Sequence, residues 1–270
     1  MIHWLVQSTA AHPDLANGRP PVGLLSAAEQ TRFDALRTPK RRHDWLLGRG
    51  TAKRLLQGFL WQTTGQAPAR ANLEIMNDED GSPYVELHGA DAQDSGASDD
   101  HRQRLSVCLT ISHCEDRSLC AVTALAGRPT VTGMAAPGQT PLAIGADIER
   151  VRPRAWSFVE TFFTEAEARQ VRAAPAAWRD TLVTAIWSAK EAALKVVKLG
   201  LTVDTRRVDC AFDLDQPPGS AWRPLKLSYQ AAVTGASEIM PCWCAMRDGF
   251  VLTLAHSQHT AHLWPEDMKA

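Results

Sequence analysis

The sequence predicts a mixed α+β fold of two similar, pseudo-twofold-related halves, each a small antiparallel sheet packed with helices. The chain has 270 residues and 44% hydrophobic content, enough for one large domain or two smaller ones. Strand-like and helical segments follow one another in a similar order in both halves. Segments 45–53 and 187–195 share a tryptophan, a polar residue four positions later and a lysine eight positions later. This match suggests a duplicated α/β unit.

Helical signals occur near the start of each half. Residues 26–37 open with a serine followed three positions later by a glutamate, a capping-box pattern, and the Thr-Pro pair at 38–39 is expected to end this helix. A second helix is predicted over 42–60, weakened locally by two glycines. In the second half, helices are predicted near 164–172 and 179–198.

Strands and loops fill the rest of the chain. The predicted strands are 84–87, 105–111, 119–126, 142–148, 207–214, 223–230, 242–247 and 250–256. Residues 88–104 are small, polar and charged, which predicts a mobile insertion. The stretch 127–141, rich in glycine, proline and threonine, indicates a linker. The expected domains are therefore 1–140 and 141–270.

Composition excludes several classes of protein. The 29 basic and 30 acidic residues give a formal charge of -1, so the net charge of the chain does not favour binding to nucleic acid or to an acidic membrane surface. The start of the chain lacks a signal-peptide pattern, and no apolar run is long enough to span a bilayer, so we expect a cytoplasmic protein. The six cysteines form no CxxC pair and are expected to be reduced thiols, with a weak alternative of metal chelation by Cys242 and Cys244.

Two carboxylates end the strand-like run 144–149. Asp147 and Glu149 are two residues apart, so on a strand they project from the same face and converge. Carboxylates this close repel one another unless a cation or proton intervenes, and hard oxygen ligands suit Mg²⁺. Taken alone, the pattern is equally typical of a strand end with two solvated acids.

A second acidic group lies in the predicted helix 179–198. Glu191 and Lys195 are four residues apart and share one helical face. Alone they would form an ordinary surface ion pair. Beside Asp147 and Glu149, however, Glu191 would supply a third carboxylate and Lys195 a cation for a pyrophosphate, a combination that describes phosphoryl transfer.

Candidate anion ligands occur in the first half. Ser112 and His113 end a strand-like run and offer two donors for a phosphate, although a histidine satisfied within a turn is equally compatible with the pattern. A basic patch is formed by Lys40, Arg41, Arg42 and Arg49. Such a patch is commonly a solvated face, but a highly charged anion would give it a role.

Together these segments resemble the phosphopantetheinyl transferases of the type that activates surfactin synthetase. The family pattern of a G-[IV]-D-[IV]-E strand followed some forty residues later by W-[ST]-x-K-E-[AS]-x-x-K is similar to the segments at 145–149 and 187–195. Residues 162–167 also resemble the family's F-[FL]-[ST]-x-x-E segment. Segments 47–49, 81–83 and 111–113 are similar to the family's first-half motifs.

The resemblance implies a role for each candidate residue. Asp147, Glu149 and Glu191 would hold Mg²⁺ with the coenzyme A pyrophosphate, and Lys195 would contact the same phosphates. The nucleotide end, including its 3′-phosphate, would be bound by Lys40, Arg41, Arg42, Arg49, Ser112 and His113. Ser82 stands where the family has lysine, and Ala146 where it has a branched residue. The first change leaves adenine or phosphate contact at that turn open.

The implied reaction is attack by a serine of an acyl or peptidyl carrier protein on the phosphorus joined to pantetheine, with 3′,5′-ADP leaving. Glu191, or a water that it orients, is the expected base, and Glu149 is the alternative. Segment 198–202 and the surroundings of Phe162 and Phe163 are expected to dock the carrier. The chain is expected to be a monomer. Alternative functions are a magnesium-dependent nucleotide phosphohydrolase and an inactive coenzyme A-binding scaffold.

Overall fold

A computed structural model describes residues 1–16, 18–89, 102–125, 142–216, 219–231, 235–257 and 263–268. The chain divides into two compact units, one comprising Met1–Met134 with Glu266–Ala270 and the other Ala135–Pro265. The expected domain boundary at 140/141 lies outside the described residues. Helices and antiparallel sheets in both units confirm the predicted α+β class. The pseudo-twofold relation stays a prediction.

The elements are numbered along the chain. The strands are β1 (Ile2–Ser8), β2 (Leu73–Asn77), β3 (Pro83–His88), β4 (Arg102–Arg104), β5 (Val107–Cys114), β6 (Arg117–Ala124), β7 (Ile144–Arg150), β8 (Val208–Ala211), β9 (Arg223–Gln230), β10 (Ser237–Arg247), β11 (Phe250–His256) and β12 (Pro265–Asp267). The α-helices are α1 (Pro13–Ala16), α2 (Ala27–Asp34), α3 (Pro39–Thr64), α4 (Trp156–Phe162), α5 (Glu165–Ala173) and α6 (Arg179–Val196). Short 3₁₀ turns occur at Arg70–Asn72, Ala176–Trp178, Gly200–Thr202 and Thr205–Arg207.

The first unit packs the long helix α3 against its sheets, which have the strand orders β12-β1-β6-β5 and β2-β3-β4. The helix begins at Pro39, earlier than predicted, because Thr38 caps it and proline is compatible with a first helical turn. The two glycines predicted to weaken it permit close packing instead. A Cβ at Gly48 would lie 3.1 Å from Ile111, and one at Gly50 would lie 3.0 Å from Leu15.

The predicted insertion at 88–104 is shorter than expected. Residues 90–101 lie outside the described residues, so their predicted mobility is untested. At either end, however, His88 pairs with Arg102 and Glu86 pairs with Arg104 in the β3–β4 ladder. Backbone pairing thus places His88 and Arg102–Arg104 in a sheet, although the polar side chains of these residues gave no strand signal.

The second unit is a five-stranded antiparallel sheet, in the order β7-β11-β10-β9-β8, with α6 packed across one face. Leu182, Ile186 and Ala189 of α6 lie in the same buried cluster as Leu227 and Cys242 of the sheet. This packing holds α6 beside β7, the strand that carries the paired carboxylates. The site is therefore assembled on a helix and a strand that both belong to the core.

A buried ion pair of the same design occurs in each unit. Lys53 of α3 bonds to Glu29, the capping-box glutamate of α2. Lys190 of α6 lies 2.8 Å from Glu167, the capping-box glutamate of α5. All four side chains are fully buried. Each glutamate also accepts a bond from a strand backbone amide, that of Ile75 at 3.1 Å or of Cys210 at 2.8 Å.

This repeated pair corrects the internal alignment drawn from the sequence. The predicted match placed Lys53 opposite Lys195, but Lys53 performs the structural role of Lys190. The alignment predicted from the sequence and the one seen in the structure therefore differ by five positions, the difference between 195 and 190. The duplication is thus supported by three shared features: the capping-box glutamate, the buried lysine and the strand backbone amide. The tryptophan-to-lysine spacing gave the wrong alignment of the two segments.

Among the described residues, no helix combines the length and apolar character needed to cross a membrane. All six cysteines are free thiols, as predicted. Burial raises the pKa of the Cys244 thiol to about 12, and the pKa of Cys242 is also raised, first by burial and then by Cys244. Both thiols are therefore protonated at neutral pH, which disfavours the weak alternative of metal chelation.

Candidate active site

Asp147 and Glu149 occupy the face of β7 that looks toward α6. Asp147 is paired with Thr253 of β11, and the Thr253 hydroxyl donates to the backbone carbonyl of Ser188 in α6 at 2.9 Å. Glu149, two residues further along β7, lies on the same face and accepts a bond from Trp187 of α6. The predicted convergence of the two carboxylates on one face agrees with this geometry.

Gly145 allows α6 to come this close to β7. A Cβ added at this position would overlap the carbonyl oxygen of Ala192 and lie 2.9 Å from its carbonyl carbon. It would also lie 3.1 Å from the Cβ of Lys195. A side chain at Gly145 would therefore push away the helical turn that carries Glu191 and Lys195.

Lys195 forms the direct link between the two elements. Its ammonium donates to Asp147 Oδ1 at 2.9 Å and to the backbone carbonyl of Ala146 at 2.7 Å. The Asp147 side chain is 7% exposed and that of Lys195 is 29% exposed. An ammonium has three protons, so a lysine that makes these two bonds retains a donor for a third acceptor.

Glu149 is held from two sides. Trp187 donates its indole N–H to Oε1 at 3.2 Å, and Arg154 donates from Nη2 to Oε2 at 3.0 Å. The pKa of Glu149 is raised, first by burial and then by the charge of Asp147, whereas Arg154 and Trp187 act to lower it. Sequence reasoning assigned no role to Arg154. Its only sequence signal was a run of alternating arginines after the acidic strand.

Glu191 completes the group of carboxylates. Its pKa is raised to about 7, first by burial and then by the negative charge of Asp147; Glu149 also acts to raise it, and Lys195 acts to lower it. The side chain is thus close enough to both β7 carboxylates to be affected by their charges. It can bind or release a proton near neutral pH.

The chemistry of these donors fits a hard divalent cation. After burial, the charge of Asp147 is the next cause that raises the pKa values of Glu149 and Glu191, and a shared positive charge would relieve this repulsion. Carboxylate oxygens are the ligands that Mg²⁺ prefers. Within the part of the chain that the structure describes, no three Asp, Glu, His or Cys side chains already form a group able to hold a metal. At least one of the side chains of Asp147, Glu149 and Glu191 would therefore have to adjust around the ion.

The predicted anion ligands of the first unit are only partly brought together. Lys40 Nζ lies 2.6 Å from Asp44 Oδ2, and His113 Nε2 lies 3.6 Å from the same oxygen. His43 Nδ1 lies 3.4 Å from Asp44 Oδ1. Asp44, which the sequence analysis did not consider, therefore gathers three basic side chains around one carboxylate. Ser112 precedes His113 on β5 and is buried, and its side chain projects from the opposite face of the strand.

Two of the predicted basic residues have structural partners. Arg42 donates to the carbonyl of Phe33, in the last turn of α2, at 3.3 Å and to that of Leu36, just after the helix, at 3.4 Å. Arg49 is 7% exposed, and its Nε lies 3.8 Å from Glu29. Burial lowers the pKa of Arg49, and the negative charge of Glu29 acts in the opposite direction. Arg41 remains exposed on α3. The four basic residues therefore do not form one continuous patch.

At the Gly81–Pro83 turn, the backbone amide of Ser82 donates to Asp80 Oδ1 at 2.8 Å. Gly81 has a φ of 83°, a conformation that glycine adopts readily. The short side chain of Ser82 lacks the reach and charge of the lysine in the resembled pattern. The turn is thus formed as the sequence suggested, without a cationic side chain at its tip.

The second unit thus contains a buried carboxylate group with an adjoining lysine, a site suited to phosphate chemistry assisted by a cation. Residues 143–255 match the family model of the 4′-phosphopantetheinyl transferase superfamily. No curated protein matches the chain.

Two solved structures are similar to part of the chain. One is apo-ACPS from Chronobacterium ammoiniagenes, with 18% identity, a TM-score of 0.34, and coverage of 45% of this chain and 93% of that one. The other is a holo-(acyl-carrier-protein) synthase from Bacillus anthracis str. Ames in complex with CoA (3′,5′-ADP). It has 17% identity and a TM-score of 0.30, and the match covers 45% of this chain and 91% of that one.

Proposed function

We propose that the protein is a magnesium-dependent 4′-phosphopantetheinyl transferase. It would move phosphopantetheine from coenzyme A to a serine of an acyl or peptidyl carrier protein and release 3′,5′-ADP. The observation that carries the proposal is the meeting of Asp147, Glu149, Glu191 and Lys195 inside the segment that matches the superfamily. Neither the carboxylates nor the lysine lies on a loop, so the core of the unit fixes their backbone positions.

Asp147, Glu149 and Glu191 would hold Mg²⁺, which when bound would neutralise charge on the pyrophosphate. Lys195 would use its remaining donor on a phosphate oxygen while its bonds to Asp147 and to the Ala146 carbonyl keep the ammonium in place. The lysine would thereby stabilise the charge that moves onto the leaving group as the bridging phosphorus–oxygen bond breaks.

Glu191 is the proposed base. The carrier serine oxygen would bond to the phosphorus attached to pantetheine, the bond to the ADP oxygen would break, and Glu191 would accept the serine proton. The pKa of about 7 belongs to the metal-free site, and a bound Mg²⁺ would lower it, so the proposed role as base rests on the position of Glu191 beside Asp147 and Glu149. Glu149 is the alternative, but both of its oxygens already accept hydrogen bonds.

The nucleotide end would be bound in the first unit by Lys40, Arg41, Arg42, Arg49, Ser112 and His113. Of these, Lys40 and His113 have the most suitable geometry, because Asp44 lies close to both and their side chains remain exposed. Arg42 and Arg49 are engaged by the protein itself and are the weaker members of this set.

The carrier would dock near the carboxylates. One expected docking surface needs correction, because Phe163 is only 3% exposed and belongs to the core. Phe162 packs on Trp187, with ring centroids 5.2 Å apart. Segment 198–202 remains the candidate, with Leu199 37% exposed. A cytoplasmic monomer remains part of the proposal, and light scattering that gave a dimer mass would contradict it.

The direct test incubates the protein with coenzyme A, Mg²⁺ and several apo-carriers and measures the intact mass of each carrier. A gain of one phosphopantetheine supports the transferase. Released phosphate without that gain would indicate a phosphohydrolase, and coenzyme A binding alone would indicate an inactive scaffold. Glu191→Gln should abolish the mass gain, whereas Glu160→Gln, on an exposed position of α4, should leave it intact.

A further inference from the structure

Arg154 lies in the loop that joins β7 to α4 and turns back toward the carboxylates. Its Nη2 donates to Glu149 Oε2 at 3.0 Å, and its side chain is 12% exposed. The guanidinium carbon lies 4.4 Å from the ring centroid of Phe158 and 6.0 Å from that of Trp187. An arginine this buried is held by the protein and has lost much of its rotamer freedom.

The contacts of Arg154 and Trp187 together restrict Glu149. Trp187 donates to Oε1 and Arg154 donates to Oε2, so each oxygen of the carboxylate has one donor from the protein. Each carboxylate oxygen has a second lone pair. Because both oxygens accept hydrogen bonds, the plane of the Glu149 carboxylate is fixed. The second lone pair of each oxygen, which is available to a cation, therefore keeps one direction.

The aromatic contacts explain why the residue is an arginine. A planar guanidinium can stack on Phe158 and donate in its own plane to a carboxylate at the same time. A lysine could supply the charge and one hydrogen bond but not the stacked plane. The edge-to-face packing of Phe158 on Trp187, with centroids 5.0 Å apart, joins both donors of Glu149 in one rigid group.

We propose that Arg154 is a positioning residue, which orients the carboxylate of Glu149 for the divalent cation. This inference rests on the proposed function of the site. Arg154 is not expected to touch coenzyme A, the carrier or the ion. It acts through Glu149, as hydrogen-bonding partners of metal-ligating carboxylates do in other sites, where their loss weakens metal affinity or activity by about 10–100-fold.

A competing role for Arg154 predicts the opposite change. If the guanidinium only neutralised Glu149, removing it would expose more negative charge to the cation and strengthen metal binding. If it orients the carboxylate, removing it frees Glu149 to rotate and weakens metal binding. The direction of the change in metal affinity therefore separates the two roles.

The test measures Mn²⁺ binding by electron paramagnetic resonance with coenzyme A present and no carrier, so that no turnover contributes. Arg154→Met keeps much of the apolar stem and should raise the apparent Kd for Mn²⁺ about tenfold. Arg154→Lys should recover part of this loss. Arg152→Met is the matched control. Arg152 is exposed, and among the groups that shift the pKa of Glu149 it has the smallest effect. This control should bind Mn²⁺ as the wild type does.

Unchanged or tighter Mn²⁺ binding by Arg154→Met would overturn the proposal, as would an equal loss in Arg152→Met. Thermal unfolding of each variant is measured beside the binding. If Arg154→Met does not fold, Arg154→Lys decides, because it should bind Mn²⁺ more weakly than the wild type while unfolding at a similar temperature. A wild type that neither binds Mn²⁺ nor modifies a carrier would instead refute the proposed function.

Discussion

The ammonium of Lys195 donates to Asp147 Oδ1 at 2.9 Å and thereby joins α6 to β7 at the centre of the carboxylate group. The same ammonium donates to the carbonyl of Ala146 at 2.7 Å. These bonds fix a positive charge beside negative groups that would otherwise repel one another. The lysine stabilises the metal-free site, and in the proposed reaction it would also present a donor to a phosphate.

Replacement of Lys195 by methionine should lower kcat/KM for carrier modification by about 10²–10³-fold, the usual effect of removing one donor that stabilises developing charge. The measurement is steady-state kinetics with coenzyme A and one apo-carrier. Lys226→Met, on an exposed position of β9, is the control and should retain activity. A Lys195→Met enzyme with normal kcat/KM would show that the ammonium has no part in transfer.

Glu191 should make the stability of the metal-free protein depend on pH. Its pKa is about 7 in the folded chain, against an ordinary value of 4.5, so the folded state binds this proton more tightly than the unfolded state does. The stabilisation from this proton is fully present below pH 4.5 and is lost as the pH rises through about 7. The glutamine in Glu191→Gln is neutral at every pH, so this variant should not show the loss of stability as the pH rises.

The measurement is the Tm of both proteins in a chelator at several pH values between about 5 and 8. The wild type should become less stable relative to Glu191→Gln as the pH rises. Comparison of the two proteins at each pH cancels the effects of other titrating groups. Parallel curves across this range would mean that Glu191 titrates near its ordinary pKa.

Alanine at Gly145 should separate α6 from β7. The new methyl group would overlap the Ala192 carbonyl, which is backbone and cannot rotate away. Overpacking of this kind typically costs about 1–3 kcal/mol, and the shift would also displace Glu191 and Lys195. Urea unfolding gives the cost, and carrier modification should be lost.

Gly219→Ala provides the matched comparison for Gly145→Ala. A Cβ at Gly219 meets no atom within 4 Å, so this variant should unfold and react as the wild type does. If Gly145→Ala were as stable and as active as Gly219→Ala, the close approach of α6 to β7 would not be required for the site.

Removal of one partner of the buried Glu167–Lys190 pair should be strongly destabilising. Lys190→Met would leave the Glu167 carboxylate buried, and breaking such pairs typically costs about 3–5 kcal/mol. The double variant Glu167→Gln with Lys190→Met leaves no uncompensated charge and should recover part of the loss. A double-mutant cycle in urea measures both effects, and an additive cycle would argue against coupling across the pair.

Much of the fold could be predicted from local patterns. The capping boxes at Ser26 and Thr164 begin helices, and the alternating strands of the second half pair as antiparallel neighbours. These signals are local because a cap or a strand face depends on residues within one turn or one ladder step. Boundaries were less accurate, as the early start of α3 and the pairing of Arg102–Arg104 illustrate.

Some of the candidate site was also predictable. The two-residue spacing of Asp147 and Glu149 and the four-residue spacing of Glu191 and Lys195 indicate which side chains share a face. The contacts of Arg154 with Trp187 and of Asp44 with His113 could not be predicted in this way, because each joins two segments of the chain and no periodic pattern encodes such a contact. The Lys40–Asp44 pair, by contrast, has the four-residue spacing of one helical face.

The sequence by itself determined that acidic and basic groups would be displayed on one strand and one helix, because side-chain direction follows from backbone periodicity. Only the tertiary structure decided that Lys195 binds Asp147 while Lys190 is buried against Glu167, although both lysines lie on α6. The physical reason is packing. Gly145 lets the helix approach β7, and the ion pair with Glu167 fixes which side of the helix faces the strand and which is buried.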